Sequence, residues 1–169
     1  MECHRAQAAG WADRYPPRYS VSMTKKVISE AEAMASLRSI ADALGVPLDY
    51  VVKFHRHGDG GAWVEFKDGA AHYLIGEREK VWTTVYTDLD EFLYRVTFDA
   101  ASNLGSTWEL NNRTREPEEF DTRIAWLAKQ LQLMNRVNPV WGARFRDTIA
   151  AGDHCDGVRV EDVDAYPLG

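Results

Sequence analysis

Two long runs of the sequence decide the fold. Residues 87–110 read TDLDEFLYRVTFDAASNLGSTWEL, and residues 120–141 read FDTRIAWLAKQLQLMNRVNPVW. In both runs, long apolar residues recur at the three- and four-residue spacing that places side chains on one face of a helix. They are Leu89, Phe92, Leu93, Val96, Phe120, Ile124, Leu127, Leu131 and Met134. The runs therefore predict two amphipathic helices that supply much of the core.

Local signals predict where these helices begin and end. Thr87 is the expected N-cap of the first helix, and Asn103 and Gly105 are expected to end it. Pro117 fits the first turn of the second helix, where a missing N–H costs nothing. Residues 138–149 then predict a third helix, because Asn138-Pro139 breaks the second one and apolar residues recur every four positions after it.

An earlier helix is predicted over residues 29–44. Ser29 is a suitable N-cap, and Glu32 completes a capping box three residues later. Gly45 should stop the helix, and Pro47 prevents its restart.

Four short β-branched and aromatic runs follow this helix and predict strands. The runs are residues 50–57, 62–66, 72–77 and 81–86. Asp68-Gly69 is a strong signal for a two-residue hairpin turn. Because short connections exclude parallel pairing, the four strands should form an antiparallel meander.

The predicted fold is therefore α+β, with an N-terminal helix, a four-stranded antiparallel meander, and three helices packed on one face of the sheet. Residues 1–22 are expected to be an irregular N-terminal arm, either native or the product of an upstream start codon. Residues 23–152 should form a single α+β domain, and residues 153–169 an acidic C-terminal tail.

The charge of the chain is unevenly spread. The 169 residues carry a formal net charge of −6. In residues 150–169 a single arginine, Arg159, accompanies five acids: Asp153, Asp156, Glu161, Asp162 and Asp164. An acidic chain without a basic stripe argues against sequence-independent binding of nucleic acid. This segment is read either as a solvated tail or as an acidic surface that meets a basic partner.

The sequence also favours one compartment. Cys3 and Cys155 are too few for a disulfide framework, so a reducing, cytoplasmic setting is expected. No run of about 18 apolar residues exists to cross a membrane. The N-terminus lacks the apolar core of a secretory signal.

No residue pattern predicts catalysis or a cofactor. The sequence holds no nucleophile elbow and no phosphate-cradling glycine loop. His55 and His57 would share a face of the first predicted strand, with Asp59 after them. Two histidines without further ligands at a recognisable spacing are a weak metal signal, so no metal site is predicted. The same pair supports the alternative of a small-ligand or metal-binding protein, or an enzyme, with its site on the sheet face.

One group of residues is a candidate for partner binding. Asp99, Glu109 and Arg113 could form a structural ion-pair cluster between the long helices. Glu109 and Arg113 beside Trp108 also suit a recognition patch, because tryptophan and arginine are enriched where proteins meet. Trp108, Glu109 and Arg113 are the predicted partner-binding residues.

The long segment resembles a known family. The likeness extends over roughly residues 52–145, and the order and spacing of its elements support it. These elements are Tyr86-Thr87-Asp88-Leu89-Asp90-Glu91, Leu93-Tyr94, Trp108-Glu109-Leu110 with Arg113, Phe120-Asp121 with Arg123, Lys129-Gln130-Leu131 with Leu133, and Asn138-Pro139 with Trp141. They are similar to those of the bacterial polymorphic-toxin immunity proteins, in the family of immunity protein 63.

The resemblance implies a cytoplasmic protein, without enzymatic activity, that neutralises a cognate secreted toxin domain by covering its active site. An acidic surface is compatible with such a role, because toxins that act on nucleic acid are commonly basic. The resemblance implies no catalytic residue. A subunit of a larger assembly is a further alternative, and the sequence leaves the oligomeric state open.

Overall fold

A computed structural model describes residues 27–56, 61–113 and 120–168 of the chain. Within them lie six helices and a three-stranded antiparallel sheet, an α+β fold as predicted. In chain order, the elements are α1 (Glu30–Leu44), α2 (Leu48–Val51), β1 (Ala62–Lys67), β2 (Ala70–Glu77), β3 (Lys80–Tyr86), α3 (Leu89–Asn112), α4 (Thr122–Val137), α5 (Pro139–Ala150) and α6 (Val160–Ala165).

The predicted start and end of the first helix are confirmed. The Ser29 side chain accepts a hydrogen bond from the N–H of Glu32 at the start of α1. Gly45 ends the helix in the left-handed conformation, with φ of 73°, which a residue without Cβ adopts at little cost.

The first of the four predicted strands is wrong. Residues 48–51 form the single turn α2, and residues 54–55 form a bend. Val51 ends this turn and Val52 follows it, and both are buried in the core, so their apolar side chains serve core packing and not strand pairing. The N–H of Val64 donates to the Lys53 carbonyl at 2.8 Å, which brings this segment next to β1. Residues 57–60, which include His57, lie outside the described residues.

The other three predicted strands are confirmed as one meander in the order β1-β2-β3. Lys67 pairs with Ala70 across the turn, and both Asp68 and Gly69 have positive φ, as a tight two-residue turn requires. A second two-residue turn, Arg78-Glu79, joins Glu77 to Lys80. β3 is therefore an edge strand that follows β2 along one side.

The helix α3 is longer than predicted. It begins after Asp88, whose side chain accepts hydrogen bonds from two following N–H groups, so Asp88 and not Thr87 is the N-cap. The expected stop at Asn103 and Gly105 is wrong, since the helix continues to Asn112. A Cβ at Gly105 would lie 2.9 Å from the carbonyl oxygen of Trp126. Gly105 therefore permits close packing of α4 on α3 and does not mark a helix end.

The helices form layers, and they do not all lie on the sheet. The Phe92 ring of α3 packs against Phe66 and Tyr86 of the sheet. α4 packs along α3, where Trp126 Nε1 donates to the Ser102 carbonyl at 3.0 Å, and α5 packs along α4. The predicted arrangement of three helices on one sheet face is thus corrected to a sheet, then α3, then α4 with α5.

The boundary signals of α5 are confirmed. The Asn138 side chain caps α5, with Pro139 in its first turn. α4 begins at Thr122 with Asp121 as its N-cap. Pro117, the predicted first turn of α4, lies outside the described residues.

The interpretation of the last segment as a solvated tail is wrong for the residues the structure describes. Its four buried residues are Cys155, Val158, Val160 and Val163, and they join the hydrophobic core. α6 packs against α4 and α5. The acids of this segment are therefore held on a folded surface. Residues 1–22 lie outside the described residues, and the domain boundary at residue 152 stays a prediction.

Candidate functional site

The structure brings the three predicted partner-binding residues together at the C-terminal end of α3. Glu109 is only 6% exposed, and it accepts hydrogen bonds from Nε and Nη2 of Arg113 at 2.7 and 3.0 Å. The Arg113 side chain stays 54% exposed. Because four residues separate the two along the helix, they lie one turn apart on the same face.

Hydrogen bonding to Glu109 fixes the charge and the orientation of Arg113. That contact raises the pKa of the Arg113 guanidinium above its ordinary value, and charge attraction to Glu109 adds to it. A bidentate contact holds the plane of a guanidinium more firmly than a single bond does. The outer face of Arg113 is therefore a pre-oriented cation on the surface.

Trp108 lies between two residues that the sequence did not single out. Tyr166 meets its ring edge-on at 6.3 Å between centroids, and the Nζ of Lys129 lies 5.6 Å from its centroid. Burial lowers the pKa of Lys129. Tyr166 also contacts Phe120, so the C-terminal segment closes over this end of α3. We name the set Trp108, Glu109, Arg113, Lys129 and Tyr166 the α3-end patch.

Tyr166 was missed because the C-terminal segment was interpreted as a solvated tail, whereas Lys129 lies on α4 and was noted only as part of the family resemblance. A signal was present: Val160, Val163 and Tyr166 recur every three residues, a spacing that indicates one buried helix face. The acids between them concealed it.

The C-terminal segment, which also carries Tyr166, presents an acidic surface with both paired and unpaired carboxylates. Arg146 holds Asp164 at 2.6 Å, and Arg159 holds Asp162 at 2.7 Å. Three further acids are exposed and form no ion pair within the described part of the chain: Asp153, Asp156 and Glu161. This surface therefore carries negative charge that its own arginines do not neutralise.

Asp99 does not join Glu109 and Arg113, so the predicted ion-pair cluster is wrong in that respect. Its carboxylate instead accepts hydrogen bonds from the Tyr73 hydroxyl and from Arg95 Nε, the latter at 2.9 Å. Burial is the main cause that raises the pKa of the Tyr73 hydroxyl. This half-buried cluster joins β2 to α3 and performs a structural task.

The two-histidine alternative loses its geometric basis. His55 is exposed in a bend and does not lie on a strand, while His57 lies outside the described residues. Among the described residues, no three His, Cys, Asp or Glu side chains are grouped closely enough to hold a metal ion. None of the described helices combines the length and apolar character that a membrane span requires.

A second surface of a different kind is the exposed edge strand β3. The exposed fractions of Val81, Trp82 and Val85 are 44%, 47% and 52%. All residues of β3 are exposed except Tyr86, which is half-buried. The strand itself was predicted, but its exposure depends on its place at the edge, which the sequence did not indicate.

Comparison with known proteins gives one match. Residues 68–151 match the family model described as Immunity protein 63. The matched segment runs from the β1–β2 turn to the residue after α5, and it includes Trp108, Glu109 and Arg113. No curated protein and no solved structure matches the chain.

Proposed function

Because the chain belongs to the immunity protein 63 family, we propose that it binds and neutralises a cognate secreted toxin domain by protein–protein occlusion. The family match is the observation that carries this proposal. The arrangement of side chains supports a binding role, since the groups singled out on the surface are oriented ions and aromatic rings. No chemical step is part of the proposed function.

We place the toxin contact at the α3-end patch. Its centre is an aromatic ring with an arginine one helical turn away, and Glu109 already holds that arginine in position. A pre-oriented side chain loses little conformational freedom when a partner binds, which favours affinity. Arg113 is suited to a carboxylate of the toxin, and the half-buried Trp108 to an apolar neighbour of that carboxylate.

The acidic surface of the C-terminal segment would attract a basic toxin. Asp153, Asp156 and Glu161 lie in the same C-terminal segment as Tyr166, which contacts Trp108. Opposite charges across an interface speed encounter more than they strengthen the final complex. The association rate should therefore fall as salt concentration rises.

Co-expression with the cognate toxin domain, which we expect to be encoded beside this gene, tests the function and the surface separately. The native chain should restore growth and co-purify with the toxin. Arg113→Gln should weaken binding about 10-fold, because it removes the charge while keeping a donor for Glu109. Arg38→Gln is the matched control, since Arg38 is exposed on α1, outside the family match.

The two failures are distinguishable. If the native chain neither restores growth nor co-purifies, the proposed function is wrong. If the native chain protects and both variants bind equally well, the function stands and the α3-end patch is the wrong surface.

A further inference from the structure

Among the residues that the structure describes, no strand pairs with the outer side of β3. β3 pairs with β2 on one side, and within the described part of the chain none of its residues has a hydrogen-bond partner on the other side. Natural proteins usually block such an edge with proline, an inward charge or a bulge. The strand reads KVWTTVY, with Lys80 at its first position as the sole charge. It is long, apolar and open.

The hairpin register determines which backbone groups point outward. Glu77 and Lys80 flank a two-residue turn, so they form a pair that is hydrogen-bonded in both directions. Alternate residues of β3 repeat this pattern toward β2. The N–H and C=O groups of the remaining residues, Val81, Thr83 and Val85, therefore point to the open side.

We propose that a second copy of this chain pairs antiparallel with β3 about a two-fold axis at Thr83. Thr83 then lies opposite Thr83 of the second copy, and Val81 lies opposite Val85. Every outward N–H and C=O of the three residues finds a partner in this register. The two three-stranded sheets become one sheet of six strands.

The side chains of β3 are self-complementary in that register. On one face, the exposed Val81 meets the exposed Val85, a β-branched pair of the kind that stabilises antiparallel sheets. On the other face, Trp82 meets Thr84 and Lys80 meets Tyr86. No like charges are opposed, because Lys80 is the sole charged residue of the strand.

Charge at the strand ends supports the same occupant. Lys80 stands at the first end of β3, and the carboxylates of Asp88 and Asp90 follow its last residue. An antiparallel second copy brings the Lys80 end of one chain toward the acidic end of the other. Because the dimer has a two-fold axis, this attraction occurs at both ends of the paired strands.

The self-pairing surface and the α3-end patch are independent. α3 is 24 residues long, so its ends are about 36 Å apart. β3 leads into the first end, and Arg113 follows the last. A dimer can therefore present two α3-end patches at once.

Sedimentation velocity of the full chain tests the dimer. We expect a monomer–dimer equilibrium with a dissociation constant on the order of 10 µM, since strand-edge contacts are at the small end of protein interfaces. A chain that stays monomeric up to 200 µM, roughly 20-fold above that constant, overturns the proposal. A dimer that appears only after removal of residues 1–26 also overturns it, because that segment would then be the occupant.

Charge variants test the register. Val81→Lys with Val85→Lys opposes like charges and should abolish the dimer, as should Val81→Asp with Val85→Asp. A mixture of the two double variants should form a heterodimer, because lysine then meets aspartate at each position. Circular dichroism verifies that both remain folded. Two double variants that dimerise as the native chain does overturn the proposal.

Cysteine pairing provides a second, position-specific test in a Cys3→Ser background. Thr83→Cys should form a disulfide-linked dimer on mild oxidation, because it faces itself across the two-fold axis. Val85→Cys is the control, since it faces Val81 and should cross-link at least about 10-fold less. Equal cross-linking of both overturns the register. A toxin complex that is lost when Val81 and Val85 are changed to lysine would assign β3 to the toxin and also overturn the proposal.

Discussion

The C-terminal end of α3 and the edge strand β3 present opposite kinds of surface. At the end of α3, buried Glu109 fixes Arg113, and Trp108 is held between Tyr166 and Lys129. At β3, apolar side chains are exposed beside open backbone groups. Chemically distinctive residues can thus be engaged within the fold, while a plain β-branched strand has an edge without a partner in the described part of the chain.

The largest expected effect comes from the packing of α3, which carries the α3-end patch, against the sheet, which carries β3. Phe92 is fully buried, and it contacts both Phe66 and Tyr86 of the sheet. Phe92→Ala should lower the free energy of unfolding by about 4 kcal/mol, because it leaves a cavity between β3 and α3. Urea unfolding measures this loss. Val140→Ala is the control, since Val140 is 74% exposed, and its effect should be within about 0.5 kcal/mol.

A pH titration tests whether the C-terminal segment belongs to the packed region. His154 contacts the rings of Phe98, Phe145 and Trp126, and burial lowers its pKa to about 4. The unfolded chain takes up this proton near pH 6.5, whereas the folded chain resists it. The contribution of His154 to the free energy of unfolding is therefore fully present above pH 6.5. It should fall by about 3 kcal/mol as the pH decreases to 4.

The variant His154→Phe isolates that contribution. It keeps an aromatic ring among the same neighbours and removes the titrating group. Unfolding measured between pH 7 and 4.5 should become less dependent on pH than in the native chain. An unchanged pH dependence would show that His154 is not buried, and the packed C-terminal segment would then be contradicted.

The stability losses of two tryptophan variants compare the α3-end patch with β3 directly. Trp108→Ala should lower the free energy of unfolding by about 2 kcal/mol, because its half-buried ring loses contact with Tyr166. Trp82→Ala should lower it by less than about 1 kcal/mol, since its ring is nearly half exposed. Both are measured by urea unfolding at a protein concentration below that of dimer formation. Equal losses would remove the distinction between the two surfaces.

Features that depend on neighbouring residues were predicted well. Ser29 with Gly45, Asp68 with Gly69, and Asn138 with Pro139 act through hydrogen bonds and backbone conformations within a few positions. The α+β class follows from those local signals. Trp108, Glu109 and Arg113 were also brought together as expected, although their role as the partner-binding group stays a prediction.

Features that depend on tertiary contacts were missed. Gly105 is typical of a helix end in sequence, yet its place against Trp126 makes it a close-packing residue inside α3. Residues 50–57 favour a strand by their β-branched and aromatic content, but the helical turn over residues 48–51, in which Val51 is buried, overrides that preference. In the sequence, the acids of the C-terminal segment suggest a solvated tail. In the structure, contact with α4 and α5 buries one face of the short helix α6.

Hydrogen exchange of the chain alone and mixed with the cognate toxin domain tests directly whether the toxin binds at the α3-end patch. Toxin binding should slow amide exchange at the C-terminal end of α3 and in α6, while exchange in β3 is unaffected by the toxin. Unchanged exchange throughout the chain would contradict the immunity function. Slowing confined to β3 would contradict the proposed toxin contact at the α3-end patch.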